Sequence, residues 1–86
     1  MAIRLMIIQM TEQDNTAGPQ KRSITIAGHR SSLSLEPEFW QAIKQLADRQ
    51  NVSLAQLISK IDNQRGTRNL SSACRVYVLE KFQAEQ

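Results

Sequence analysis

A single cysteine, Cys74, and a single histidine, His29, are all that the chain holds of the residues that most often bind transition metals or form cross-links. One cysteine excludes a disulfide framework and points to a reducing compartment. His29 stands beside Gly28 with no cysteine or acid cluster at ligand spacing, so no metal site is expected. The chain has no glycine-rich phosphate loop, no His–Ser–acid grouping and no paired carboxylates on one inward face. An 86-residue chain also has little room for a substrate pocket. Neither an enzyme nor a cofactor is expected. Long apolar runs are missing too. The segment Ile3-Arg4-Leu5-Met6-Ile7-Ile8-Gln9-Met10 is too short to span a membrane. It also lacks the full apolar core and small-residue cleavage site of a signal peptide. A cytoplasmic protein with no membrane partner is the expectation.

What is present is one small domain with a formal charge of +3. A domain of this size buries a modest fraction of its surface, and sharing a core with a second copy is a common remedy. The mildly basic balance permits a polyanion partner without demanding one. Residues 11–20 are polar, hold Gly18-Pro19 and show no period. Residues 1–20 therefore read as a flexible leader before a domain at 21–86, with Met6 and Met10 as alternative starting points.

Residues 21–35 have strand character. Ile24 and Ile26 occupy even positions, whereas Leu33 and Leu35 occupy odd ones. Side chains of a strand alternate between faces, so one straight strand cannot put all four together. The parity must shift near Gly28-His29. A two-residue hairpin loop there would set Ile24 opposite Leu33 and Ile26 opposite Ser31. A bulge at Gly28 inside one longer strand would also serve. Either way, the apolar residues share one face, and Ser23, Thr25, Arg30, Ser32 and Ser34 occupy the other.

Three helices are expected after the strands. The first covers 37–50, with Pro37 suited to the first helical position and a stripe of Phe39, Trp40, Ile43, Leu46 and Ala47. Trp40, in phase with Ile43 and Ala47, reads as core. The second covers 54–64, where Ser53 followed by Gln56 forms a capping box and Leu54, Leu57, Ile58 and Ile61 form a narrow apolar face. Residues 62–69 break the pattern around Gly66. The third covers about 70–84 with Asn69 as its cap. Its apolar face is broad, from Leu70, Ala73, Cys74, Tyr77, Val78 and Phe82, and is widened by Val76 and Leu79. Such a helix is expected to be covered on two sides, with Cys74 as a small buried hydrophobe. Arg65, Arg68 and Arg75 read either as a second basic patch or, the favoured reading, as a solvated surface with Asp62 as a partner.

This order resembles the ribbon-helix-helix family of the Arc and MetJ type. The string GHRSSLSLEPEFWQAI, with Asn51-Val52-Ser53, Ile61-Asp62, Arg65 and Asn69-Leu70-Ser71-Ser72-Ala73, resembles a bacterial branch of that family with an extra C-terminal helix. The resemblance implies a mostly α fold with a short β-ribbon and an intertwined homodimer in which each chain gives one strand to the ribbon. It further implies a dimer core of Leu33, Leu35, Trp40, Ile43, Leu57, Ile58 and Ile61. In operator-binding members the ribbon enters the major groove. Carried over, Arg30, Ser32 and Ser34 would contact base edges. Ser53 with the amides of Leu54 and Ala55 would hold a phosphate, and Lys21 and Arg22 would add attraction to the DNA backbone. The function so implied is a dimeric, DNA-binding transcriptional regulator of double-stranded DNA. The alternative is a protein-interaction or oligomerisation module with little or no DNA binding, antitoxin-like roles included. In that reading the C-terminal helix, or the leader, docks a protein partner, or the C-terminal helix builds a tetramer.

Overall fold

A computed structural model describes residues 18–85. Two strands, β1 (Gln20–Ile26) and β2 (His29–Leu35), are followed by three helices, α1 (Pro37–Arg49), α2 (Leu54–Gln64) and α3 (Leu70–Ala84). The leader expected over 1–20 lies mostly outside the described residues, and β1 begins on its last position, Gln20.

The strands form an antiparallel ribbon within the chain. This differs from the arrangement implied by the resemblance, in which the two strands come from two chains. The loop also lies one residue earlier than expected, at Ala27-Gly28. Both residues have positive φ, 52° and 81°, the requirement of a two-residue type I′ turn. Gly28 meets it without a Cβ penalty, and Ala27 carries the cost of a left-handed alanine. Ile24 consequently pairs with Ser31, Ile26 with His29, and Arg22 with Leu33. A register displaced by two residues leaves every side chain on its expected face, since the face alternates with period two. Ile24, Ile26, Leu33 and Leu35 therefore share the inward face as expected.

Local chemistry starts and stops the helices. Pro37 opens α1, and the Glu36 carbonyl accepts the amides of Phe39 and Trp40 at 2.9 and 3.0 Å. The end of α1 is a Schellman motif. Asn51 takes a left-handed φ of 58°, its amide donates to the Asp48 carbonyl at 3.1 Å, and the Val52 amide donates to the Ala47 carbonyl at 3.1 Å. Asn69 caps α3 by accepting the Ser72 amide at 2.8 Å.

The core joins all five elements. Leu33, Leu35, Trp40, Ile43, Leu57, Ile58 and Ile61 are each no more than 3% exposed within the single chain. Ile26, Leu46, Ala47, Ala73, Cys74 and Val78 complete the interior. The seven residues expected to form a core between two chains are thus enclosed by their own chain. The reason is the third helix and the added strand β1, which supply the apolar cover that a minimal strand–helix–helix chain must take from a partner. Burial also pushes the Cys74 thiol up to about 11, leaving it a protonated hydrophobe. The third helix packs against α1, α2 and β2. Among the described residues, its Leu79 is the large hydrophobic side chain left exposed, at 55%.

Candidate nucleic-acid interface

The face of the ribbon turned from the core is polar throughout. Its cross-strand pairs are Lys21–Ser34, Ser23–Ser32 and Thr25–Arg30. Ser34 is half-buried and the other five are exposed. Neither strand contains a carboxylate. The face therefore offers hydroxyls that donate or accept, flanked by a guanidinium near the turn and an ammonium at the open end. Arg30, Ser32 and Ser34, the expected base readers, lie along one strand of this face. Lys21, expected as a backbone contact, joins them opposite Ser34. Ser23 and Thr25 complete the face. The sequence pattern put both on it, but only the pairing of β1 beside β2 makes them equal neighbours of the readers.

Arg22 is elsewhere. It stands on the inward parity, with its guanidinium 4.6 Å from the centroid of the Trp40 ring. The Trp40 Nε1–H donates to the Gln20 carbonyl at 2.9 Å. These two contacts fasten the open end of the ribbon to α1, and cation–π attraction gives Arg22 a structural partner there. The structure thus separates Arg22 from Lys21, its neighbour in the expected backbone contact.

Ser53 has the expected capping geometry. The Gln56 amide donates to Ser53 Oγ at 3.0 Å, and the Ser53 amide donates to Gln56 Oε1 at 2.8 Å. The hydroxyl oxygen accepts in the cap, and its O–H remains a donor. The following amides, Leu54 and Ala55, belong to the first turn, where helices lack internal acceptors. Ala55 and Gln56 line a groove with Thr25 of the ribbon, so the start of α2 adjoins the polar face. The fold accordingly brings Ala55 of the expected phosphate clamp beside Thr25, the cross-strand partner of Arg30.

The acid nearest the readers in the sequence is neutralised. Glu36 follows β2 directly, and its two carboxylate oxygens accept from Arg75 Nε at 2.9 Å and Nη2 at 3.1 Å. This fork ties α3 to the base of the ribbon. Asp62 pairs with Arg65 at 2.7 Å, as expected, whereas Arg75 leaves that group for Glu36. The guanidinium holds the Glu36 carboxyl below its ordinary 4.5. The unfolded chain then binds more protons between the lowered value and 4.5, so stability rises with pH in that window. The contribution of the pair is complete above pH 4.5 and fades as pH falls through the lowered value. Glu36→Gln is expected to flatten this part of the acid limb in urea-denaturation midpoints measured from about pH 6 down to about pH 3. An acid limb unchanged by the substitution would show that the pair carries no linkage.

Among the described residues, no helix is long and apolar enough to cross a membrane. The ribbon-helix-helix domain model matches residues 19–82, the span of the ribbon and nearly all of the three helices. A solved structure of similar fold is that of an uncharacterized protein from Bordetella pertussis Tohama I, at 32% identity and a TM-score of 0.66. The match covers 80% of this chain and 61% of that one, so this chain spans less than two thirds of that protein's length. No curated protein matches the chain.

Proposed function

Because the chain belongs to the ribbon-helix-helix domain family, we propose that it is a DNA-binding transcriptional regulator that works as a homodimer and inserts its β-ribbon into the major groove. The observation that carries this reading is the outer face of the ribbon. It has six polar side chains in three cross-strand pairs, with Lys21 and Arg30 among them and no acid. Strands lie about 4.8 Å apart, and the major groove, at about 12 Å wide, admits a two-stranded ribbon. Arg30 offers a bidentate match to a guanine edge, and the serines and Thr25 suit either base of a pair. The amides opening α2 and the side chain of Lys21 add attraction to phosphates, which is independent of sequence and weakened by salt. Selection of random duplexes on the purified chain at low salt tests the reading. Enrichment of a common sequence is expected, with affinity falling steeply as salt rises. Failure to retain any duplex at low salt would refute it.

A second reading, an interaction or oligomerisation module, is favoured by one specific feature. Phe39, Val76, Val78, Leu79 and Phe82, with Arg75, line an open and largely apolar groove of about 290 Å³ between α1 and α3, and apolar surface of this kind marks contact sites. Because α3 also supplies Ala73, Cys74 and Val78 to the core, the suitable test is a surface substitution rather than removal of the helix. Leu79→Asp is expected to lower the mass in sedimentation velocity to that of one chain, with the circular dichroism spectrum unchanged. Unaltered sedimentation would remove the α3 face from the assembly.

A further inference from the structure

A second surface beside the ribbon is a groove of about 460 Å³ between Thr25 and the outward face of α2. Its α2 wall follows from helical spacing. Leu57, Ile58 and Ile61 are buried, which turns Gln56, Ser59, Lys60 and Asn63 outward at separations of three, four and seven residues. Among the residues lining it there is no carboxylate. The one acid of α2, Asp62, is half-buried and held by Arg65 Nε at 2.7 Å. Lys60 is exposed and supplies the only formal charge in the lining. The groove meets the reading face at Thr25, which pairs with Arg30.

We propose that this groove holds the sugar–phosphate backbone of duplex DNA alongside the ribbon, with Lys60 as the cation and Gln56, Ser59 and Asn63 as hydrogen-bonding partners. The inference rests on the reading above, in which the ribbon enters the major groove. Phosphates rim that groove and stand wider apart than the two strands of the ribbon. A backbone strand therefore passes beside the ribbon, where α2 flanks β1. Amide, hydroxyl and lysine side chains are the groups that proteins use for such sequence-independent contacts. The absence of carboxylates removes the repulsion that would otherwise keep a polyanion out. The B-form duplex is the fitting ligand, because the major groove of an RNA helix is too narrow for side chains to read. The contact extends the footprint along the length of α2, beyond the helix start that holds Ser53.

The test measures affinity for the selected duplex and for a scrambled one across a salt series, using the full chain. Lys60→Ala is expected to lower the slope of log affinity against log salt by about one. It should weaken binding roughly three- to tenfold on both duplexes, so that discrimination is unchanged. Lys81→Ala, which alters an exposed lysine on α3 outside the groove, is expected to leave the slope as it is. A wild-type slope in Lys60→Ala, with the wild-type chain binding DNA, would overturn the groove contact and leave the ribbon reading standing. An equal loss in Lys81→Ala would also overturn it, since general charge would then account for the effect. Absence of duplex binding by the wild-type chain would overturn both readings.

Discussion

Replacing Arg30 by alanine is expected to reduce binding to the selected duplex by about 1–3 kcal/mol, while affinity for a scrambled duplex falls far less. Arg30 is exposed, pairs with Thr25 and stands on the outer face next to the turn. Its truncation leaves no cavity and removes no buried partner, so stability should stay within about 0.5 kcal/mol of the wild type. The distinguishing feature is the pattern of loss. A guanidinium that bridges two acceptors of guanine contributes to one sequence position. A guanidinium that merely approaches phosphate contributes to all sequences alike. Arg30→Lys separates the two further, because an ammonium keeps the charge without the planar fork. Discrimination should fall in both variants, whereas nonspecific affinity should fall in Arg30→Ala alone. Equal losses on selected and scrambled duplexes would remove Arg30 from base reading. Ser23, Thr25, Ser32 and Ser34 would then be the remaining candidates on that face.

The largest effect on stability is expected at Trp40. Trp40→Ala should lower the free energy of unfolding by about 3–5 kcal/mol in urea titrations followed by circular dichroism. The side chain is 3% exposed, so its loss removes a large buried area and leaves a cavity between α1 and the ribbon. Two further contacts go with it. The Gln20 carbonyl loses the indole N–H at 2.9 Å, and Arg22 loses the ring beneath its guanidinium. Domains in general are stable by only about 5–15 kcal/mol, and a small one has little reserve. Duplex binding should therefore weaken although Trp40 has no place on the polar face, because the open end of the ribbon is fastened there. Trp40→Phe keeps much of the volume and the aromatic face but drops the indole donor, so a smaller loss is expected. An unfolding midpoint unmoved by Trp40→Ala would show that the ribbon is held by other contacts.

These two residues also show why parts of the site were legible in the sequence and others were not. Trp40 was legible as core because its phase with Ile43 and Ala47 is a property of one helix. Arg30, Ser32 and Ser34 were legible as outward because alternation is a property of one strand. The same holds for the Ser53–Gln56 box and the Asn69 cap, where the partners lie three residues apart. The partner of Arg22 was not legible. Alternation puts Arg22 on the parity of Ile24 and Ile26, but what its guanidinium meets there depends on which ring lies beneath it. That ring arrives from another element. Glu36 and Arg75 are 39 residues apart, and no periodicity connects them. The groove containing Lys60 was equally hidden. Helical spacing names its outward residues, but only the packing of α2 against β1 sets them beside the reading face.

By itself, then, the sequence determined the ribbon-and-three-helix order, the caps, the faces of each element and the polar character of the exposed strand surface. These depend on interactions within a few residues of one another and on a period of about two or about 3.6. Tertiary structure alone decided that the turn falls at Ala27-Gly28, that β1 rather than a second chain completes the ribbon, and that α3 closes the interior over Leu33, Leu35, Ile43 and Ile58. The physical reason is that an apolar stripe is satisfied by any surface that excludes water from it. Hydrophobic burial is non-directional, so the pattern announces that a face will be covered without saying by what. The cover is chosen by shape, chain reach and the few directional contacts, such as the Trp40 hydrogen bond and the Glu36–Arg75 fork, that fit in one arrangement.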